Sequence, residues 1–535
     1  MSRYARTGRA ALLSVVLAAG CGERPEGWDQ PVSVQHVAGL SGAVAMVDES
    51  IHRVSLVAIG KDLSLDTRHQ PTGVGIASVK PSPDGQKLYV LARGVQPRLG
   101  PDDDRPALWV YDGTGKGDLL ARYELDAPLD GLTVDPLGQF VVVHPSGSSG
   151  AFVENPNELV IIDVTQPASS TNPVLRTLRS FGGTPQRLTF TDPLMLPAGE
   201  RRLLIVETDQ EVSLLDLDNL DRPEVTVVLN SADGTTNVKP AEVAVDEGDA
   251  DKANDTRVAI RTNQSGVFLL TLAELPPGKQ AYNDFDVVVN IIGLSGVPSD
   301  IGFVRTDAGR RLAVLEPQHS RASLVDPETT VVTTVDLPTS YGSMAVVTDR
   351  AGGSGDESDV ALLWGGDSSA IGVAFWSLGK SVGQPYRSIE VLTGVASSVA
   401  RVVDVPAPND VLKLLIPQAF GGGQVYVLDM QHRTASPLFT YSSSVEMEVS
   451  DDGLRAWFYV PGTSSLARID LETLHPVNLY LDRTTKAVFD VTTQGGGRAA
   501  VALHPTGAWG ATVFDATQPD DATAARHVGI LQGGF

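Results

Sequence analysis

From about residue 40 onward the chain is a succession of short apolar runs broken by turns, with almost none of the periodicity of a helix. One unit is clearest. Gly75 to Lys80 reads as a first strand, Pro81-Ser82-Pro83-Asp84-Gly85 as a turn, and Gln86 to Gly94 carries a second strand. An Asp-Gly pair between apolar runs predicts a hairpin, because both residues tolerate the backbone angles of a tight turn. A third strand, Ala107 to Tyr111, ends at Asp112-Gly113, and a fourth runs from Leu119 to Leu125.

The turn returns at Asp135-Pro136-Leu137-Gly138, Pro197-Ala198-Gly199, Asn254-Asp255, Asp307-Ala308-Gly309 and Ser358-Asp359. Asn409-Asp410, Asp451-Asp452-Gly453 and Pro505-Thr506-Gly507 continue the series, about every 53 residues. Third strands close on aspartate at Asp112, Asp163, Asp216, Asp326, Asp429 and Asp470. Four antiparallel strands in each such repeat predict a β-propeller. At the ends, Ala43–Asp48 reads as a third strand and Arg53–Ile59 as a fourth, while only Ala508–Phe514 follows the final turn as a second. The expectation is therefore all-β: a single closed propeller of eight to nine four-stranded blades over residues 40–535. Its last blade would be shared by N- and C-terminal strands, leaving no open edge.

The stretch Pro81 to Gly94 resembles the YVTN-type, lactonase-like propeller repeat, whose hallmark is a Ser-Pro-Asp-Gly turn followed by a Leu-Tyr-Val strand. The resemblance implies the fold. It leaves the activity open, since that family includes enzymes, binding modules and surface proteins.

The N-terminus changes the picture by adding an address. Arg3, Arg6 and Arg9 precede an apolar core, Ala10 to Ala19, far shorter than the ~20 residues that span a bilayer, so residues 1–20 read as a signal peptide. Leu17-Ala18-Ala19-Gly20-Cys21 resembles the lipobox of bacterial lipoproteins, with Ala18 where that family prefers leucine. The resemblance implies that Cys21 carries the lipid, that residues 21–39 form an acylated N-terminus and tether, and that the membrane is a partner. Gly22 rather than aspartate follows the cysteine, which in such lipoproteins implies the outer membrane. The alternative is a plain signal peptide with an incidental cysteine. Cys21 is the only cysteine, so no disulfide forms within the chain.

Acidic residues outnumber basic ones 65 to 41, a net charge of −24, which argues against a nucleic-acid partner. Losing the three leader arginines takes that charge to −27. None of the nine histidines pairs at a metal spacing, and no Gly-x-Ser-x-Gly elbow occurs, so neither a metal nor a catalytic residue is assigned and no cofactor is expected. Gly379-Lys380-Ser381 ends like a phosphate loop but lacks the earlier glycine at the required place. The acidic runs Asp102-Asp103-Asp104, Asp246 to Asp251 and Asp356 to Asp359 do not follow a calcium-loop order and read as solvated loop charge. Asp112-Gly113-Thr114-Gly115-Lys116 resembles a turn of quinoprotein-type propeller repeats, without the accompanying tryptophan pattern.

Two groups remain as candidates. Aligning the ends of the second strands brings Glu207, Arg261 and Glu316 to one level in successive blades, either as the polar wall of a pocket at the channel mouth or as an inter-blade ion ladder. The longest loops after second strands, Arg93 to Pro106 and His144 to Asn157, belong to adjacent units. They carry Arg93, Arg98, Asp102, Asp103, Asp104, Arg105, His144 and Phe152. A mixed-charge loop face suits a protein or glycan partner. The functional expectation is a lipid-anchored, non-catalytic binding or scaffolding module of the cell envelope. The alternatives are an envelope hydrolase of the lactonase-like type or a quinone- or metal-dependent propeller enzyme.

Overall fold

The computed structural model describes residues 33–529, except 147–151, 179–182, 231–237, 249–254, 279–282, 349–358, 367, 369, 380–388, 396–397, 418–422, 442–444, 506–508 and 519–525. It is a β-propeller of ten blades, each a four-stranded antiparallel meander in chain order. Blades 1 to 5 span Val34–Pro71, Ile76–Glu124, Gly131–Thr177, Arg187–Val228 and Pro240–Gly293. Blades 6 to 10 span Asp300–Asp336, Ser343–Leu392, Val399–Tyr441, Glu446–Tyr480 and Ala487–Gly529. First strands of neighbouring blades touch one another and so line the channel, while fourth strands form the rim.

The second and third strands are buried on both faces because alternate side chains feed opposite seams. In blade 1, Ala43, Ala45 and Val47 pack toward blade 2, whereas Val44 and Met46 pack toward blade 10. The described residues form ten apolar clusters, one at each seam.

The expected count of eight to nine blades, with one shared by the two ends, is overturned. Ala43–Asp48 and Arg53–Ile59 are the second and third strands of a complete blade, whose first is Val34–Gly39 and whose fourth is Leu65–Pro71. The Pro505–Gly507 segment follows a second strand, Arg498–His504, and precedes the third, Gly510–Asp515. Eight internal units plus two whole end blades make ten. Closure comes from side-by-side packing: Thr492 N–H donates to Ser41 O at 2.9 Å, Gln494 N–H to Ile59 O at 2.8 Å, and Val491, Val501 and Leu503 meet Val44, Val57 and Ile59. Blade 1 also takes Val34–Gly39 from within the segment 21–39 read as tether.

The turn chemistry is that of the sequence. Ser82 Oγ donates to Asp84 at 2.6 Å, Gln86 N–H to the same carboxylate at 3.0 Å, and Gly85 takes φ +66° with no room for a side chain against Ser41. Ser450 and Asp452 repeat the arrangement, with Gly453 at φ +66°. The Pro197–Gly199 turn belongs to a small extra hairpin, Leu194–Leu196 with Gly199–Arg201, inserted in blade 4. At the third-strand ends, Asp112, Asp163, Asp216, Asp326, Asp429 and Asp470 each accept the amide two residues on, at 2.9–3.2 Å, and so turn the chain into the fourth strand. Asp112 also accepts Lys116 N–H at 2.9 Å, so the Asp112–Lys116 stretch is a structural turn.

Candidate binding face and channel mouth

The loop of blade 2 between residues 93 and 106 is built from its backbone outward. Gly94 N–H donates to Val74 O and Val95 N–H to Asp104 O; Gly94, at φ +68°, lies so close to the far side of the loop that a Cβ would stand 2.4 Å from Asp104 O. Asp103 Oδ2 accepts both Leu99 and Gly100 amides at 2.7 Å, and these bonds hold its carboxyl below the usual carboxylate range. Asp104 accepts Val74 N–H at 3.2 Å and pairs with Arg122 at 3.3 Å, and Arg122 lies over the Trp109 ring at 4.8 Å. Arg105 pairs with Glu124 at 3.3 Å. Arg93, Arg98 and Asp102 are exposed. At the tip of this braced loop stands Leu99, 90% exposed, which the sequence did not single out.

In blade 3, Ser146 ties the start of the next loop to Asp130, its N–H donating at 2.7 Å and its Oγ at 2.8 Å. Phe152 is 49% exposed. His144 does not reach this surface. Its ring is buried against Gly131, with Nδ1 3.0 Å from Pro145 O and Nε2 3.3 Å from Thr133 Oγ1, and burial lowers its pKa. His504, likewise buried, lies 2.7 Å from Thr512 Oγ1.

Of the three residues aligned from the second-strand ends, the structure brings Glu207 and Arg261 into one charge network and leaves Glu316 apart. Glu316 is buried and satisfied within its own blade region, accepting Gly296 N–H at 2.8 Å and Ser323 Oγ–H at 2.6 Å. Arg261 pairs with Glu242 at 2.7 Å and donates to Pro298 O at 3.1 Å. Glu207 is 2% exposed, with no hydrogen-bond partner on the protein for Oε1. Burial raises its pKa, Arg187 and Arg261 oppose the rise, and Glu242 adds to it. Arg187 donates to Ala241 O at 2.7 Å, linking blade 4 to blade 5. Asp300 accepts Met344 N–H from blade 7 at 2.8 Å and shares a hydrogen bond with Glu242. Burial and the Glu242 charge push Asp300 up to about 7, so Asp300 holds its proton through the mildly acidic range.

Arg187, Glu242 and Asp300 thus complete a string across blades 4 to 7 that the sequence column missed. The signal for two of them is hairpin register: Arg187 stands directly across from Glu207, and Glu242 from Arg261. As chemistry, the string is an inter-blade ladder of paired and hydrogen-bonded groups, with its one unsatisfied oxygen, Glu207 Oε1, buried. Among the described residues, no three His, Cys, Asp or Glu side chains are placed to hold a metal ion, and no helix is long and apolar enough to cross a membrane. Cys21 and the signal segment lie outside the described residues, as do Lys380, Ser381, residues 249–251 and residues 356–358 of the acidic runs.

No protein-family model matches the chain, and no curated protein does. Three solved structures that resemble it share little sequence with it. A dihydro-heme d1 dehydrogenase, NirN, in complex with DHE is 13% identical, with 84% of this chain and 76% of that one covered at a TM-score of 0.39. A eukaryotic initiation factor is 11% identical over 77% of this chain and 88% of that one, TM-score 0.42. Apo AztD from Citrobacter koseri is 12% identical over 66% and 88%, TM-score 0.32. The assignment of the fold therefore rests on the ten sheets themselves.

Proposed function

We propose that this propeller is a non-catalytic binding module of the cell envelope, anchored at the outer membrane through acylated Cys21, that takes a protein or glycan on its second-to-third-strand loop face. Leu99 carries the reading. A leucine 90% exposed at the tip of a loop braced by Asp103, Asp104 and Arg122 is an apolar anchor held ready, with its ordering cost already met by the loop. Phe152, on the loop of the adjacent blade, is a second exposed anchor, and Arg93, Arg98 and Asp102 supply a polar rim.

The test is capture from envelope membranes by the full chain, with cross-linking and identification of what is retained. Replacing residues 94–105 and 145–156 by Asn-Gly turns, or Leu99→Asp with Phe152→Asp, is expected to leave the ring folded and abolish specific retention. Retention that survives both changes overturns the loop-face reading. Lactone hydrolysis by the wild-type chain that disappears in Glu207→Gln would replace it with the hydrolase reading. Fractionation of Cys21→Ser tests the anchor separately: the protein should leave the membrane or accumulate unprocessed.

A further inference from the structure

A buried carboxylate is costly unless a partner answers its charge. Glu211 has no such partner within the chain. It opens the third strand of blade 4, Glu211–Asp216, directly after the tight turn 208–210 on the second-to-third-strand loop face. Its strand face carries Ser213 and Leu215, and Leu215 packs with Phe140 and Val142, so Glu211 stands at the loop end of the seam between blades 3 and 4. It is 4% exposed, and its Oε1 has no hydrogen-bond partner on the protein. Asp209, in the turn itself, likewise leaves Oδ1 buried and unbonded. The turn is fixed from behind. Thr208 Oγ1 accepts the Gln210 and Glu211 amides at 3.3 and 3.1 Å, and Gly183 leaves no room for a side chain against Thr208.

Blade 3 repeats the arrangement one seam earlier. Glu158 opens its third strand, on the face whose Val160 and Ile162 pack toward blade 2, and Asp126, on the connection from blade 2, is near enough to repel it. Burial raises the pKa of both glutamates, and acids add to the rise: Asp126 at Glu158, Asp209 and Glu224 at Glu211. At Glu207, Asp246, Asp359, Glu448 and Asp451 an arginine opposes it instead. The nearest arginines of blade 2 are already engaged, Arg105 with Glu124 and Arg122 with Asp104. Phe152 belongs to the blade between these two acidic seams, and Leu99 to the blade before it.

We propose that these seam ends receive basic side chains of a protein partner, one lysine or arginine at Glu211 and Asp209 and another at Glu158 and Asp126. This rests on the loop-face reading and narrows it from a protein or glycan to a protein segment that carries two cations beside its apolar contacts. The chemistry of the pairs selects that occupant. A glycan of hydroxyls brings no countercharge to a buried carboxylate. A calcium ion seeks about six or more oxygens, and among the described residues no three His, Cys, Asp or Glu side chains are placed to hold a metal. An ammonium or guanidinium, in contrast, is met by two carboxylates, and its N–H groups supply the donors that Glu211 Oε1 and Asp209 Oδ1 lack. The net charge of −24 draws such a segment in.

The probe is a library of short randomised peptides on beads, screened against the full-length chain in mild detergent at physiological salt. The retained peptides should be enriched in lysine or arginine, and should bind at least about tenfold more weakly to Asp209→Asn with Glu211→Gln. Asp126→Asn with Glu158→Gln should weaken the same peptides. Glu328→Gln with Glu472→Gln removes as much charge from the third-to-fourth-strand turns of the opposite face and should leave binding unchanged. Glu211→Gln alone should unfold no more easily than the wild type, since it removes a charge that nothing in the chain pairs. A library that returns no binder or no basic enrichment, binding that survives the loss of either acidic pair, displacement of the peptides by millimolar calcium, or a destabilised Glu211→Gln chain overturns the proposal. Leu99→Asp with Phe152→Asp separates the two readings. If it abolishes envelope capture while the library shows no basic enrichment, the loop face binds without these acids. Capture that survives both it and the loop replacement is the failure of the loop-face reading instead.

Discussion

Asp135, at the seam of blades 3 and 4, and Asp300, at the seam of blades 5 and 6, are both drawn out of water, yet their protons behave in opposite ways. Asp135 has no exposed surface and faces an arginine: Arg202 holds it with two bonds, 2.6 and 3.0 Å, and three amides of its own turn add to them. Burial alone would raise its pKa, but these bonds outweigh it and the net shift is downward. Asp300 faces Glu242, another acid, and burial and repulsion act together to push it up to about 7. The partner, and not the depth, decides the sign.

Arg202 is the residue whose loss should cost the fold most. Arg202→Met leaves Asp135 a buried, unpaired carboxylate, and removing one partner of a buried pair costs about 3–5 kcal/mol. Denaturant unfolding of the variant should show a loss of that size. Asp135→Asn in the same chain should recover a good part of it, because no charge then remains to be paired. If Arg202→Met unfolds like the wild type, the seam does not depend on this pair.

The two carboxyls also respond to pH in opposite directions. A carboxyl with a raised folded pKa binds its proton more tightly in the fold, so stability is greatest below the ordinary carboxylate range and falls as pH rises toward 7. Asp300 contributes in this way, and so does Glu448 in the first strand of blade 9, which burial, with Asp451 and Asp490 adding and Arg498 opposing, pushes up to about 7. Asp135 contributes oppositely: its stability is present above its ordinary pKa and is lost as pH falls below it. Unfolding measured from pH 3 to 8 should show a decline between about pH 4 and 7 that Asp300→Asn or Glu448→Gln reduces and the double variant reduces further. An unchanged decline in the double variant would mean that other groups cause it.

These contrasts show what could be read from the chain beforehand. The turns were legible because Ser82, Asp84 and Gly85, or Ser450, Asp452 and Gly453, encode their own hydrogen bonds and backbone angles locally. The blade count was not. The strands that decide it, Val34–Gly39 and Leu65–Pro71, are partly wet and carry polar runs, Gln35-His36 in one and Asp66 to Gln70 in the other, and so resemble tether and loop more than the buried runs beside them. Glu207 and Arg261 could be aligned from strand ends, but Arg187 and Glu242 needed hairpin register, and Asp300 needed the neighbouring blade. Leu99 carried no signal, since one leucine in a loop has no periodicity to betray it.

A third carboxylate isolates the remaining variable. Asp103 is held below the usual range as Asp135 is, but by two amides in an exposed loop, with neither burial nor an arginine contact as the leading cause. Asp103→Ala should therefore leave global unfolding unchanged, because solvent takes over the freed amides at little cost. What should change is local. The Leu99 and Gly100 amides lose their acceptor, so their hydrogen exchange should quicken while exchange within the blade 2 strands stays as it was. The wild type should show the same quickening, relative to intrinsic exchange, as pH falls through the Asp103 titration, and the variant should not. If Leu99 is an anchor because the loop presents it ready-made, Asp103→Ala should also weaken partner capture while leaving every apolar contact in place. Slow exchange at Leu99 and Gly100 in the variant would place the bracing elsewhere in the loop and remove Asp103 from the account of binding.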